Sequence, residues 1–95
     1  MTSRYGGADR VSTKAKLANE LRILGDVLAA ARDRAGLKQA EVAGKLGMPP
    51  SYLSKIENGT RRLDVIELIQ IANAMGTDPA DIVSELQRQL RGRSS

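Results

Sequence analysis

The 95 residues suffice for one compact domain with a short arm at either end, and a domain of this size buries only about 60–65% of the surface its unfolded chain exposes. With no cysteine and no histidine, disulfides, zinc fingers and His-based catalytic dyads or triads are excluded, and with Tyr5 and Tyr52 as the only aromatics a single-strand nucleic-acid module built on ring stacking is disfavoured. The net charge of +4 permits an anionic partner but is unevenly placed: +3 over residues 1–23, +3 over 24–62, −5 over 63–87 and +3 over 88–95, a pattern that suits a basic face and an acidic face on one domain.

Residues 1–10 are polar, contain Gly6-Gly7 and precede no apolar run, so residues 1–11 are expected to form a flexible arm and not a leader. The longest strictly apolar run, Val27 to Ala31, is far short of the roughly 20 residues that span a bilayer, so a cytoplasmic protein is expected. Leu17, Leu21, Leu24, Leu28, Ala31 and Ala35 then recur at steps of four and three, one stripe on a helix that Ser12 can cap and Gly36 can end. Gly25 inside that stripe disfavours the helix by about 1 kcal/mol relative to Ala, and is expected to mark a break between an amphipathic extension and the first core helix.

A second helix is expected from Gln39 to Leu46, turning inward Val42, Ala43 and Leu46 and closing at Gly47. A third opens at Pro49-Pro50, where proline's missing N–H costs nothing, carries Leu53 and Ile56 inward and stops at Asn58-Gly59. Asp64-x-x-Glu67 reads as a capping box for a fourth, whose expected core face is Val65, Leu68, Ile69, Ala72 and Met75, with Gly76 behind it. Asp78-Pro79 starts a fifth, bearing Ile82, Val83, Leu86 and Leu90, with Arg88 and Arg91 suited to the negative end of its dipole. No stretch alternates as a strand would. The fold class is therefore all-α: a domain over residues 12–91, five helices with an amphipathic N-terminal extension, and a flexible tail over 92–95.

Residues 39–59 hold two short helices around a tight turn at Gly47, with Ala43 small enough for a close crossing and Val42, Leu53 and Ile56 between them. This is a helix-turn-helix pattern. The spacing Arg32-x-x-x-Gly36-Leu37-x-Gln39-x-x-Val42-Ala43-x-x-Leu46-Gly47, followed by Leu53-Ser54-x-Ile56-Glu57-x-Gly59 and Leu68-x-x-Ile71-Ala72-x-Ala74-Met75-Gly76, resembles the lambda-repressor/Cro-type (XRE-like) family over about residues 24–83. Two departures stand out. Lys38 and Pro49 occupy positions where the family usually has a capping Ser or Thr.

The resemblance implies double-stranded DNA binding, with helix 50–58 in the major groove. Base contacts then fall to Pro50, Ser51 and Lys55, the last able to donate to guanine O6 and N7. Backbone contacts fall to Lys38, Gln39, Tyr52, Asn58, Thr60, Arg61 and Arg62. Tyr52 suits a half-buried core position equally well. Arg32 and Glu57 are implied to form a structural ion pair between the first helix and the end of the third. No metal site, cofactor or enzyme activity is expected, because Asp78 and Asp81 sit as helix caps and Ser54-Lys55 point apart on a helix.

The leading expectation is thus a sequence-specific transcriptional regulator, a repressor acting as a homodimer. The alternative is an antitoxin or adaptor that uses the same fold to bind another protein, favoured by the acidic stretch over 63–87. Leu86 and Leu90 are expected as the dimer seam, in competition with packing inside one chain.

Overall fold

A computed structural model describes residues 13–94. The expected arm over residues 1–11 and the Ser12 cap lie outside the described residues. Five helices follow in order: α1 Thr13–Arg34, α2 Gln39–Lys45, α3 Pro50–Glu57, α4 Val65–Ala74 and α5 Pro79–Ser94. There is no strand among the described residues.

Local chemistry sets most of these boundaries. At α4 the capping box closes in both directions: Glu67 N–H donates to Asp64 Oδ1 at 2.7 Å, and Asp64 N–H donates to Glu67 Oε1 at 3.0 Å. At α2 only the reverse half can form, because the Lys38 ammonium has no acceptor; Lys38 N–H donates to Glu41 Oε1 at 2.7 Å. Pro49 and Pro50 start α3 with no side-chain cap, relying on proline's preset φ. The ends of α1 to α4 share one device. Leu37, Met48, Thr60 and Thr77 each donate a backbone N–H to the carbonyl five residues earlier, across glycines at positive φ.

Where sequence periodicity and packing part company, packing decides. The extension and the first core helix are one continuous helix of 22 residues, about 33 Å long. Gly25 marks no break in it. A Cβ there would lie 2.2 Å from the Glu57 carbonyl oxygen and 2.8 Å from that of Ile56, so glycine is present to let α1 cross the end of α3. Gly59 serves the same crossing from the other side, since a Cβ on it would meet Arg22 Cα at 2.9 Å.

The buried face of α1 is Ile23, Val27, Leu28 and Ala31, with Leu24 half-buried against the core and Ala35 exposed. It is turned from the expected stripe because α1 is held on two sides, by α3 and by α5. In α4 the core face is Leu68, Ile71, Ala72 and Met75; Val65 and Ile69, expected inside, are exposed. The helix is apolar on two faces, and only its packing against α5 and α2 selects one. In α5, Ile82 is buried and Val83 exposed. The helix runs on through Gly92 to Ser94, over most of the stretch expected as a tail.

Leu28, Val42, Leu53, Ile56, Ile71 and Ile82 form the centre of the core, with every helix contributing. Six such side chains, each stabilising by about 1.5–3 kcal/mol on burial, hold the short α2 and α3 that could not persist alone.

Candidate nucleic-acid interface

α2 and α3 pack on each other across the Lys45–Pro49 turn, with Val42, Ala43, Leu53 and Ile56 between them. One face of α3 is thereby spoken for. The other carries Pro50, Ser51 and Lys55, all exposed, and neither Ser51 nor Lys55 makes a side-chain hydrogen bond or ion pair among the described residues.

The C-terminal end of α3 is fixed to the scaffold by a charged fork. Arg32 Nε donates to Glu57 Oε2 at 2.7 Å and its Nη2 donates to Oε1 at 3.1 Å, while Nη1 donates to the Leu37 carbonyl at 2.8 Å. Glu57 is 8% exposed. The hydrogen bond to Glu57 raises the Arg32 pKa above its ordinary value, against the opposing effect of burial. Gln39 joins the same carboxylate: its Nε2 donates to Glu57 Oε1 at 2.8 Å. The amide expected on a phosphate is thus turned inward, tying the first turn of α2 to the last turn of α3.

Tyr52 anchors the opposite flank of α3. It is 9% exposed, and its hydroxyl donates to Glu67 Oε2 at 3.2 Å. Burial, then the charge on Glu67, raises its pKa. The Arg61 guanidinium lies 4.7 Å from the Tyr52 ring centroid and bonds Glu67 Oε2 at 3.0 Å. That bond and the capping bond from Asp64 hold the Glu67 carboxyl below the usual carboxylate range. Of the residues expected on the DNA backbone, Tyr52 and Arg61 are therefore committed to the joint between α3 and α4. Glu67, which the sequence offered only as half of a capping box, is the residue that gathers them.

The loop after α3 is ordered by its own side chains. Asn58 Oδ1 accepts from Thr60 N–H at 3.1 Å and from the Thr60 hydroxyl at 2.6 Å. Arg62 is exposed beside it, and Lys38 is exposed at the start of α2. Lys38, Ser51, Lys55 and Arg62 are thus left in solvent on or next to the two short helices. Leu86, expected at a dimer seam, packs against its own core; Leu90 is half-buried. Among the described residues no helix is long and apolar enough to cross a membrane.

A helix-turn-helix family model matches residues 28–82. An uncharacterised HTH-type transcriptional regulator of Sinorhizobium fredii, y4dJ, is 35% identical over 63 residues, covering 66% of this chain and 82% of the relative. Among solved structures, an XRE-family-like protein from Pseudomonas syringae pv. tomato superposes with a TM-score of 0.71 at 39% identity, covering 86% of this chain and 98% of that one. The clp gene regulator ClgR from Corynebacterium glutamicum superposes with a TM-score of 0.69 at 27% identity, covering 74% and 91%.

Proposed function

From the premise that the chain belongs to the XRE-like, lambda-repressor/Cro-type helix-turn-helix family of DNA-binding transcriptional regulators, we propose that it is a sequence-specific repressor that inserts α3 into the major groove of duplex DNA. One observation carries the reading. α3 is pinned at its C-terminal end by Arg32 and on its flank by Tyr52, while Pro50, Ser51 and Lys55 are left in solvent. A rigid helix with an uncommitted polar face is what base readout requires.

In this reading Lys55 donates to guanine, Ser51 reads an adjacent base edge, and Pro50 supports contact with a thymine methyl. Lys38, Arg62 and the Asn58–Thr60 loop hold phosphates, with secondary contributions from Gln39, Tyr52 and Arg61 through whatever capacity their internal bonds leave. Repression is the simplest consequence, since a filled groove excludes other proteins from it. The protein acts as a homodimer in the cytoplasm, with half-sites about 34 Å apart, one turn of DNA.

Selection of bound duplexes from a random pool, followed by a salt titration of the winner, tests this. Expected are enriched half-sites one turn apart and an affinity that falls steeply with salt. Weak binding without enrichment at any salt would instead favour the antitoxin or adaptor reading, in which the acidic segment over 63–87 receives another protein.

A further inference from the structure

Arg61 stands in the loop that follows α3, between exposed Thr60 and exposed Arg62. Arg62 makes no side-chain hydrogen bond or ion pair among the described residues, whereas the Arg61 guanidinium is held three ways. Its Nη2 donates to Glu67 Oε2 at 3.0 Å, its Nη1 donates to the Arg62 carbonyl at 2.9 Å, and its central carbon lies 4.7 Å from the centroid of the Tyr52 ring. The two side chains of the ion pair are still 37% and 24% exposed, so a competing anion can reach them.

We propose that Glu67 is a restraint on duplex affinity: it holds Arg61 back from the phosphates along which the loop after α3 lies. The inference rests on the reading of the chain as a duplex-binding regulator. Glu67 has its own structural work without Arg61, since Oε1 accepts the Asp64 N–H that caps α4 and Oε2 accepts the Tyr52 hydroxyl that anchors α3. Neither bond needs a cation. What the guanidinium gains on Glu67 is the charge-assisted contact that a phosphate oxygen would also offer, so carboxylate and duplex compete for the same donors. A phosphate contact tightens every sequence alike. Withholding Arg61 therefore lowers the affinity for all duplexes and leaves base preference untouched, which makes Glu67 a positioning residue acting through Arg61.

Counterion release sets the size of the effect. One further neutralised phosphate steepens the log–log salt slope by about 0.9, which at 0.15 M salt corresponds to about fivefold in affinity. To recruit Arg61 a duplex must break the bond to Glu67 and lift the guanidinium from the Tyr52 ring, and both contacts are already in place. The salt slope of the parent protein accordingly lacks most of the share that Arg61 could contribute, while Arg62, one residue on, contributes in full.

The test is a double-mutant cycle of Glu67→Gln with Arg61→Ala, read across a salt series on a random-sequence duplex and on the selected one. Glutamine suits the capping position: its carbonyl oxygen can accept the Asp64 N–H and its NH2 can donate to the Tyr52 oxygen, but it has no second acceptor for Arg61. The fold should therefore persist with α3 still anchored, which a circular-dichroism melt verifies. Glu67→Gln should bind both duplexes about three- to sixfold tighter at 0.15 M salt, with a slope steeper by about 0.9 and the same base preference. Arg61→Ala should change little in the parent and abolish the gain in the variant. Glu85→Gln, which removes an equal charge beside Arg88 on α5, should leave both duplexes bound as before. The proposal is overturned by a folded Glu67→Gln that binds no tighter, by equal effects of Arg61→Ala in the two backgrounds, or by an equal gain from Glu85→Gln, which would reduce the effect to net charge. If Glu67→Gln does not fold, Arg61→Ala decides alone: a slope loss much smaller than that of Arg62→Ala supports the restraint, and an equal loss overturns it. A parent that binds no duplex at any salt refutes the regulator reading and this proposal together, whereas a parent that binds, with additive variants, refutes this proposal alone.

Discussion

Replacing Gly25 by Ala sets two physical effects against each other with opposite signs. Intrinsic helix propensity favours the change by about 0.8–1 kcal/mol, since Gly25 lies in the middle of a 22-residue helix. The crossing opposes it. The new methyl would sit 2.2 Å from the Glu57 carbonyl oxygen, 2.7 Å from its carbonyl carbon and 2.8 Å from the Ile56 oxygen. These are backbone atoms in the last turn of α3, and none can rotate away.

Relief needs a separation of about 1 Å between α1 and α3, enough to forfeit a quarter to a half of each dispersion contact across the seam. Ile23 and Val27 lose packing, and the Arg32–Glu57 fork stretches from 2.7 Å. Overpacking against a yielding core costs about 1–3 kcal/mol, and more is expected where the obstacle is main chain, so the net destabilisation should be about 2–4 kcal/mol. With a urea m-value near 1 kcal/mol/M, the midpoint should fall by roughly 2 M or more. Gly44→Ala is the control. Gly44 is helical and exposed with nothing within 4 Å of its added Cβ, so that variant should gain up to about 1 kcal/mol. A Gly25→Ala midpoint at or above the parent's would refute the crossing argument, and a loss in both variants would implicate something common to the two helices instead.

Arg32→Ala should cost about 3–5 kcal/mol by leaving Glu57 buried without its partner, whereas Arg34→Ala, on the exposed side of the same helix, should stay within about 0.5 kcal/mol; denaturant midpoints compare them. Glu67 has a folded-state pKa below its ordinary 4.5, so its contribution is complete above that value and lost as pH falls through the lower one; the stability curve of Glu67→Gln should be flatter than the parent's below pH 4.5. Lys55→Ala should change base preference at one position per half-site by about 1–3 kcal/mol, while Arg62→Ala should weaken all sequences alike and reduce the salt slope by about one. Uniform loss in both, measured on a panel of single-base operator variants, would remove Lys55 from base readout.

The helix boundaries were legible because their causes are local. Asp64 and Glu67 bond each other three residues apart, Asp78 Oδ1 accepts from Ala80 N–H at 2.9 Å, and the glycine turns bond within six residues. The facing of α4 was not legible. Val-Ile-Glu-Leu-Ile-Gln-Ile offers two apolar stripes of equal promise, and α5 and α2 choose between them. Gly25 was misjudged for the same reason. Propensity saw a weak point in a helix, while the cause was a carbonyl 32 positions away in sequence. In the candidate site, solvent-facing Pro50, Ser51 and Lys55 followed from the helical register, but the inward turn of Gln39, Tyr52 and Arg61 depended on Glu57 and Glu67. Those carboxylates accept from all three.

The two carboxylates also explain how α3 tolerates its unusual start. A helix without a side-chain cap at Pro49 has no side-chain acceptor for the N–H groups of its first turn, a source of fraying in so short a helix. Pro50 removes one such donor and restricts the backbone there before folding begins. The remaining order is imposed from outside the helix. Glu57 gathers α1 and α2 onto its last turn, and Glu67 holds Tyr52, one turn from its start, together with the loop arginine. Every polar anchor of α3 then lies off the face that carries Ser51 and Lys55. If that face reads bases as proposed, substitutions on it should change sequence preference without loosening the frame, and substitutions at Arg32, Gln39 or Glu67 should loosen the frame without touching a base.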